Sequence, residues 1–516
     1  MPSHEVAPDN PPEEPFASQL PVEVFNPLRR YVPLAAWLIV ILTLLAIPAK
    51  IVGYGYLPPD DALRHAAKAV SGKPWSEILV LRSGFLMDPH PGWHAILGCV
   101  HRLSNWGTEG LVVFSIASLM LLFHLAVLPW LRRPEAWLAG LLICLVCVHV
   151  FADRLAEGRP FLFTISASLV VLLMWSRIHP RGPRLHEIAF TILLIAAVAW
   201  IHGSFYQMLM PVAAVFLSGR WRAAVWLGLC WAAGSFLGSS FTGHPWEFLD
   251  QSIRHLFAVF SDYTLARQIA TELGPSDGDA LLVLAVVGML LWRSHSPGWK
   301  ASDLAEPFFV MAVLGWLLGL KTLRFWWDWG LPAATVWFAL EFQQQFQTHL
   351  GFNSWKRLWI VLALALGVYL NTTSDLGGRW TWNLTNEYLE QDKPELASWL
   401  PGNGGILYSA DMRVFFETFF KNPTAPWRYV LGFESSLMKP EDLAVLRKVQ
   451  WNFGNVRAYE PWIKKMGPKD RLVLRASWLG PGIPNIPELE WHYAVNDLWV
   501  GRLPQKPIPS AVRPRP

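Results

Sequence analysis

The chain has 516 residues, of which 53% are hydrophobic and only 16% are charged. Its mean hydropathy is +0.28, and this combination is typical of a protein with many membrane spans rather than of several soluble domains. The formal net charge of +4 is too small to indicate a nucleic-acid partner. The 30 tryptophans suit rings that are anchored at membrane–water interfaces.

The cysteines do not indicate a metal centre or a disulfide framework. Cys144 and Cys147 form a CxxC pair, but the pair lies inside the apolar sequence ICLVCV. Because no polar ligands accompany it, we interpret the pair as buried thiols rather than as a zinc site.

Apolar runs dominate the chain after a polar start. Residues 1–30 are rich in proline and acidic residues and are predicted to be a disordered cytoplasmic tail without a cleavable signal peptide. Residues 31–371 are predicted to be the membrane-spanning region, with about eleven transmembrane helices. The predicted spans are 34–53, 111–130, 136–152, 160–176, 187–202, 204–218, 223–240, 279–292, 305–320, 326–341 and 357–371.

Basic residues between these spans predict the orientation of the chain. They fall in alternate loops, which is the positive-inside pattern, and this predicts a cytoplasmic N-terminus. The predicted location is the cell inner (plasma) membrane. The odd number of spans then places residues 372–516 outside. Two long outer loops, 54–110 and 241–278, carry apolar residues at helical spacing, as at Ile253, Leu256 and Phe257, and are predicted to hold helices along the membrane surface.

The chain changes character after residue 371. Charged residues become more frequent, and strand-like runs appear at 406–409, 427–433, 471–477 and 493–503. Helical stretches are predicted between them at 394–400, 412–420, 441–449 and 456–466. This alternation predicts an extracytoplasmic α/β domain over residues 372–503. Residues 504–516, with five prolines, are predicted to be a disordered end.

Two adjacent carboxylates follow the first span directly. In the stretch YGYLPPDDALRHAAKAVSG, Asp60 and Asp61 come after two prolines and before Arg64 and His65. Carboxylates at the mouth of a membrane helix are energetically costly and so indicate function. The structural alternative is that Asp60 only caps the helix. Since neighbours at a helix start point about 100° apart, we expect one aspartate to face the site, with Asp60 favoured.

Other polar residues are predicted to gather on the same membrane face. They are Asp88, His90, His94, Asp153, Arg154, Glu157, Arg159, His202, Lys321, Arg324 and Asp328. Four of them are basic residues in short outer turns, where positive charge is disfavoured, so they are candidates for holding an anion. Each has a structural alternative: a hydrogen-bonded histidine for His202, snorkelling for Arg159, a tryptophan-rich anchor for Lys321 and Arg324, and a turn for Asp88 and His90.

A transferase that uses a lipid-linked phosphate donor needs these residue types. Arginine binds phosphate oxygens in pairs through its planar fork. A carboxylate near the acceptor hydroxyl can orient that hydroxyl and take its proton. The site belongs at the membrane surface because the donor's tail stays in lipid.

On these residues the chain resembles the GT-C membrane glycosyltransferases, which include oligosaccharyltransferase catalytic subunits, protein O-mannosyltransferases and aminoarabinose transferases. Their shared plan of many helices, an acidic motif in the first outer loop and a C-terminal outer domain is matched over about 34–503. The resemblance implies an inverting hexosyl- or pentosyltransferase with a polyprenyl-phosphate-linked sugar donor and a glycan, lipid or protein acceptor. The letters Trp326-Trp327-Asp328 lie between spans, so they do not match the tail signature of oligosaccharyltransferases.

The resemblance also implies roles for single residues. Asp60 or Asp61 corresponds to the catalytic acidic position, while Arg159 and Arg324, with Lys321 and His202 in support, are candidates for binding the donor phosphate. Four more residues are candidates for the acceptor or for a Mg²⁺ or Mn²⁺ ion: Asp88, His90, Arg64 and His65. No spacing demands a metal, so metal dependence stays open.

Two other functions fit part of the pattern. An O-antigen ligase or polymerase-like enzyme also uses polyprenyl-linked glycans, but the early Asp60–Asp61 pair favours the transferase. A transporter of lipid-linked glycans would need charged residues within the spans and broken helices in two matching halves. The spans here are largely free of acidic residues.

Overall fold

The computed structural model describes residues 27–85, 87–178, 182–261, 269–295, 299–479 and 482–504. Most of the two predicted disordered tails, 1–26 and 505–516, lies outside the described residues. Up to residue 373 the α-helices are α1 (Val32–Gly53), α2 (Asp61–Ser71), α3 (Trp75–Ile78), α4 (Pro91–Ser104), α5 (Thr108–Val127), α6 (Glu135–Cys147), α7 (Phe151–Ala156), α8 (Phe161–Trp175), α9 (Leu185–His202), α10 (Leu209–Leu217), α11 (Trp221–Ser240), α12 (Pro245–Ser261), α13 (Ala280–Ser294), α14 (Pro307–Gly319), α15 (Leu323–Phe325), α16 (Leu331–His349) and α17 (Trp355–Thr373).

Every predicted span contains a helix. Among the described residues, four helices are long and apolar enough to cross a membrane: α1 with its preceding turn, α5 with its following turn, α9 and α11. Five shorter apolar helical stretches accompany them, at α6, α8, Phe205–Leu217, α13 and α14. The count of eleven transmembrane helices therefore stays a prediction, whereas the mostly helical architecture is confirmed.

Local sequence explains where these helices begin. Helix α14 starts at Pro307, whose fixed φ suits the first helical position, and the Glu306 carboxylate before it accepts hydrogen bonds from the backbone N–H groups of Phe308 and Phe309 at 2.9 and 3.1 Å. Helix α9 packs along α11, α6 packs along α16 and α17, and α10 bridges α11 and α14. The outer loops add α2 to α4 and α12, as their apolar spacing predicted.

The part of the chain after residue 373 forms a mixed sheet with helices. Its strands are β1 (Ile406–Ser409), β2 (Arg428–Tyr429), β3 (Arg471–Arg475), β4 (Glu490–Tyr493) and β5 (Leu498–Arg502), in the order β2-β1-β3-β5-β4. β1 is parallel to β2 and β3, while β5 is antiparallel to β3 and β4. The helices are α18 (Pro394–Ala397), α19 (Met412–Lys421), α20 (Pro440–Trp451), α21 (Glu460–Lys465) and α22 (Ala476–Leu479).

The first outer loop is joined to this sheet through the backbone. The N–H of Val80 donates to the carbonyl of Tyr429 at 2.9 Å, and the N–H of Arg82 donates to the carbonyl of Leu437 at 2.9 Å. The Lys73 ammonium also donates to two carbonyl oxygens of residues 424 and 425. One buried apolar core runs from the long helices into the sheet. These contacts hold the sheet against the loop that carries Asp60 and Asp61.

Candidate active site

The first outer loop turns sharply where α1 ends. Gly55 has φ +81°, a left-handed conformation that residues other than glycine rarely adopt. Pro58 and Pro59 follow, and α2 begins at Asp61. The two aspartates therefore lie at the start of a short helix, seven to eight residues after the end of α1.

Asp60 occupies the N-cap position of α2, but its side chain makes no capping hydrogen bond. Its two carboxylate oxygens instead accept from Nε and Nη2 of Arg159, with an Nε–Oδ1 distance of 3.1 Å. The alternative that Asp60 only caps the helix is therefore wrong. Its charge is used across the fold, in a bidentate ion pair with a residue 99 positions later.

Asp61 pairs within its own helix. Its Oδ1 accepts from Arg64 Nε at 2.5 Å, and its Oδ2 lies 3.8 Å from Arg159 Nε. Burial disfavours its charge, but Arg64 and Arg159 outweigh that effect and hold the pKa of Asp61 below its usual range. Both aspartates line one cavity. The expectation that only one faces it is wrong, because Asp60 has the non-helical angles φ −144° and ψ −131° and does not follow helical spacing.

Helix α7 and the turn after it supply two arginines and a glutamate. Arg154 Nη1 donates to Glu157 at 2.9 Å and to Glu272 at 2.8 Å, while its Nη2 donates to Asp328 at 2.7 Å. Arg159 adds contacts to Glu157 at 3.3 Å and to Glu272 at 3.4 Å. These two arginines connect their own segment to the segments that carry Asp60, Glu272 and Asp328, which are far apart in sequence.

The segment LRFWWDWG closes the site from the other side. It turns through one π-helical stretch, Trp326–Gly330, which buries Asp328 to 2% exposure. Arg324 Nε donates to Asp328 at 3.1 Å, and Arg324 Nη1 lies 3.5 Å from Glu272. Arg324 keeps one third of its side-chain surface exposed. Glu272 contacts three arginines, yet sequence reasoning missed it, because nothing local distinguishes it from the other acidic residues of its long loop.

Together these residues form what we call the carboxylate–arginine cluster: Asp60, Asp61, Glu157, Glu272 and Asp328 with Arg64, Arg154, Arg159 and Arg324. With all groups ionised it carries one excess negative charge. Burial raises the pKa of Glu157 to about 7, although Arg154 and Arg159 partly oppose the shift. Burial also works against ionisation of Glu272, but the arginines outweigh it and hold the pKa of Glu272 below its usual range.

A cavity of about 1260 Å³ opens beside the cluster, and we call it the main cavity. One wall is apolar and comes from α10 and α14. A second wall carries most of the cluster, and a third comes from the sheet region after residue 373. In that order the walls include Leu209, Met210, Ala213, Leu314 and Leu318; Asp60, Asp61, Arg154, Glu157, Arg159, Glu272 and Arg324; and Asp411, Arg413, Phe416, Glu434, Phe453 and Trp478.

Several predicted site residues lie away from this cavity. The described residues that line it do not include Arg64, His65, Asp88, His90, His202 or Lys321. Lys321 is exposed. His202 is buried, and its Nδ1 is 2.9 Å from the Thr164 hydroxyl. The structure thus brings Arg159 and Arg324 to the cavity together, whereas His202 and Lys321 are not among the described residues that line it.

The histidines instead form a buried group behind Arg64. His94 Nδ1 is 2.6 Å from Asp88 Oδ2, and His94 Nε2 is 2.8 Å from His65 Nδ1. The His65 and His90 rings are 4.9 Å apart. Burial, then the charge of Arg64, lowers the pKa of His65 and His90 well below the usual range, so both are neutral. Within the described ranges, no three His, Cys, Asp or Glu side chains are grouped to hold one metal ion.

No family model and no curated sequence matches the chain. Among solved structures, it is similar to ArnT from Cupriavidus metallidurans bound to undecaprenyl phosphate, with a TM-score of 0.51, 14% identity and coverage of 93% of this chain and 98% of that one. It is also similar to the archaeal oligosaccharyltransferase AglB from Archaeoglobus fulgidus, in complex with an inhibitory peptide and a dolichol-phosphate. That TM-score is 0.48 and the identity is 11%, with coverage of 95% of this chain and 76% of that one. For the arabinofuranosyltransferase AftD from Mycobacteria the TM-score is 0.47 and the identity is 14%. The match covers 93% of this chain but only 40% of AftD.

These neighbours are GT-C glycosyltransferases. The likeness to ArnT covers nearly all of both chains, so the chain has the GT-C fold. This confirms the resemblance to the GT-C fold, while the count of eleven spans and the extracytoplasmic domain stay predictions. Because the identity is 14%, the likeness extends to the fold alone, and the activity has to be argued from the site.

Proposed function

We propose that this protein is an integral membrane glycosyltransferase that moves a sugar from a polyprenyl-phosphate-linked donor to an acceptor outside the cytoplasm. The observation that carries the proposal is the composition of the main cavity, where an apolar wall, an arginine-rich wall and two aspartates face one space. A lipid phosphate has an apolar chain that matches the apolar wall and an anionic head that matches the arginine-rich wall. The ArnT neighbour with the same fold was solved with undecaprenyl phosphate, which supports this class of donor.

The donor's two parts fit different walls. Leu209, Met210 and Leu314 on α10 and α14 receive the polyprenyl chain, since burial of apolar surface favours it there. Arg324 and Arg159 bind the phosphate, because a guanidinium can bind two phosphate oxygens at once. Arg324 is the more accessible of the two, with 33% of its side chain exposed against 14% for Arg159.

Asp60 is the proposed base. In the free protein its carboxylate is held by Arg159, so a phosphate that binds Arg159 competes for that ion pair and frees Asp60. The acceptor hydroxyl then gives its proton to Asp60 and its oxygen bonds to the anomeric carbon. The bond between that carbon and the phosphate oxygen breaks, and the electron pair stays on the phosphate, where the arginines stabilise it. Attack from the opposite face inverts the anomeric centre.

No step of this proposal passes through a metal ion. All five carboxylates of the carboxylate–arginine cluster contact an arginine. Asp88, a candidate ligand from the sequence, already accepts from the Trp75 ring at 3.2 Å, from the backbone of His90 at 3.0 Å and from His94. These oxygens would have to change partners before they could bind Mg²⁺ or Mn²⁺.

The orientation of the chain is part of the proposal. Residues 31–371 lie in the inner (plasma) membrane with loops 54–110 and 241–278 outside, and residues 372–503 pack as a domain over the outer openings. The backbone contacts between residues 80–82 and the sheet region support a common side for the first outer loop and the domain.

Comparative mass spectrometry of envelope glycans and glycolipids, from cells with and without the protein, tests the proposal. We expect one glycan to lose a sugar when the protein is absent, and the sugar to return with the wild type but not with Asp60→Asn. Purified protein should bind undecaprenyl phosphate in native mass spectrometry. An unchanged glycan profile together with no lipid phosphate binding would overturn the proposal.

A further inference from the structure

The order of the strands creates a crevice at one edge of the sheet. β1 lies between β2 and β3, and all three are parallel. The chain leaves β1 towards β2 on one side, then crosses to β3 on the other side. In open sheets of this kind the connections part at the carboxyl ends of the two strands, and ligands bind in the crevice between them. Here that point lies beyond Ser409 at the end of β1 and Arg475 at the end of β3.

The same crevice is the outer end of the main cavity. Ala410 and Asp411 directly follow β1, and Trp478 lies three residues beyond β3; all three line the cavity. Gln450, near the end of α20, bridges the crevice, because its Nε2 donates to the Ala410 carbonyl at 3.1 Å. The crevice and the carboxylate–arginine cluster therefore face one continuous space.

Two aromatic rings line the crevice as a pair that packs face against face. The ring centroids of Phe453 and Trp478 are 4.2 Å apart and their planes differ by 31°. Both side chains are partly exposed and both line the cavity. A saccharide ring presents C–H groups on one face and hydroxyls at its edge, so an aromatic face with polar groups around it complements it. The electron-rich ring face attracts the polarised C–H groups.

The charged side chains at this end form ion pairs with one another. Asp411 Oδ2 accepts from Arg475 at 2.5 and 2.9 Å. Arg413 donates to Glu417 at 2.7 Å, and Glu434 forms an ion pair with His255. These paired groups still offer hydrogen-bond partners to hydroxyl groups. The crevice thus combines an aromatic pair with polar groups, which suits a polyhydroxyl ring.

We propose that this crevice, formed by Asp411, Gln450, Phe453 and Trp478, is a saccharide-binding subsite that holds a sugar ring of the acceptor. This inference rests on the proposed function, and it makes the acceptor a glycan rather than a peptide. The acceptor ring packs against the exposed part of the Phe453–Trp478 pair, and the glycan extends from there through the cavity towards Asp60.

The test uses the full-length protein in lipid nanodiscs and two probes taken from cells that lack it. One probe is the saccharide fraction released by mild acid from envelope glycolipids, and the other is a tryptic digest of envelope proteins. Binding is followed by saturation-transfer difference NMR. We expect the saccharide fraction to bind, and Trp478→Ala and Phe453→Ala to weaken its binding about tenfold. Trp478→Phe, which keeps an aromatic face, should stay within about threefold of the wild type.

Trp451 provides a matched control. It lies two residues before Phe453 but is 75% exposed and is not among the described residues that line the cavity. Trp451→Ala should bind the saccharide fraction like the wild type. If Trp478→Ala unfolds, Phe453→Leu with an unchanged thermal unfolding midpoint replaces it. Equal binding by the wild type and the folded ring variants, or binding of the peptide fraction alone, overturns the inference.

Undecaprenyl phosphate binding separates this inference from the proposed function. We expect it to be unchanged in Trp478→Ala, since Trp478 belongs neither to the apolar wall nor to the carboxylate–arginine cluster. Lipid phosphate binding without saccharide binding refutes the subsite and leaves the transferase proposal standing. If the wild type binds neither undecaprenyl phosphate nor the saccharide fraction, the transferase proposal is refuted, and the acceptor subsite is refuted with it.

Discussion

The Asp60→Asn variant separates a catalytic from a structural role for this aspartate. Asparagine keeps the size of the side chain and cannot take a proton from the acceptor hydroxyl. General-base assistance usually contributes 10² to 10⁴ in rate, so we expect transfer to fall by about 10² or more. The helix start should be unaffected, because the Asp60 side chain makes no capping bond.

The effect on stability follows from the partners that Arg159 retains. Arg159 still has Glu157 at 3.3 Å and Glu272 at 3.4 Å after the change. The carboxylate–arginine cluster also moves from one excess negative charge to neutrality. Removing one partner of a buried ion pair costs about 3–5 kcal/mol when it leaves an unpaired charge. Since Arg159 is not left unpaired, we expect Asp60→Asn to cost only about 1 kcal/mol.

Asp61→Asn is the matched comparison. Asp61 is the ion-pair partner of Arg64, which is 3% exposed and whose Nη1 already has no hydrogen-bond partner in the described part of the chain. The loss of folding free energy should approach about 3 kcal/mol, because the change leaves a buried charge without its partner. Only the stacking of Arg64 on the Phe433 ring, at 4.1 Å, offsets this loss. Asp61→Asn should therefore lower the unfolding midpoint more than Asp60→Asn does.

The assay combines three readouts: the modified envelope glycan in complemented cells, the thermal unfolding midpoint, and undecaprenyl phosphate binding to purified protein. For Asp60→Asn we expect lost transfer, a nearly unchanged midpoint, and lipid phosphate binding that is equal or tighter, because Arg159 no longer pairs with a carboxylate at that position. Transfer within tenfold of the wild type, in protein that reaches the membrane, would refute the assignment of Asp60 as the base.

The remaining predictions concern the phosphate, pH and topology. Arg324→Ala should weaken undecaprenyl phosphate binding about ten- to hundredfold, because a charge-assisted contact contributes about 1.5–3 kcal/mol. Lys321, which is not among the described residues that line the cavity, provides the control, and Lys321→Ala should bind normally. Equal effects of the two changes would remove Arg324 from the site. Glu157 is protonated below its pKa of about 7 and then repels an incoming phosphate least, so lipid phosphate affinity should fall as pH rises through 7. The pH dependence of Glu157→Gln should lack this component, and identical profiles would contradict the idea. In a cysteine-free variant, Ser510→Cys should react with an impermeant thiol reagent from outside and Ser3→Cys should not; the reverse would invert the proposed orientation.

The helices were the part of the fold that local patterns could predict. A long apolar run has few alternatives to a helix, because the backbone must satisfy its hydrogen bonds internally. Each predicted span accordingly contains a helix. Three of the predicted strand segments hold β1 to β3 and the fourth holds β5. Only Tyr493 of the four-residue strand β4 (Glu490–Tyr493) fell within a predicted segment.

The site was predictable only in part. Asp60, Arg159 and Arg324 stood out because charges at the outer mouths of spans are unusual. Glu272 did not, since it lies 113 residues from Arg159 and is one of several acidic residues in its loop. The crevice at β1 and β3 depends on strand order, and strand order is set by long-range pairing that no local pattern records. Sequence reasoning likewise predicted His65 and His90 as site residues, whereas the structure groups them behind Arg64 and not among the described residues that line the cavity.

The carboxylate–arginine cluster shows why these residues are linked in function as well as in structure. A buried guanidinium needs a partner, and the four arginines find theirs among five carboxylates from four outer segments. Within the described part of the chain, each of these four arginines has a carboxylate partner, so the cluster is nearly neutral. Under the proposed function a lipid phosphate must replace existing contacts, and the contact that it displaces from Arg159 is the one to Asp60. Proton acceptance by the proposed base would then depend on the donor being bound.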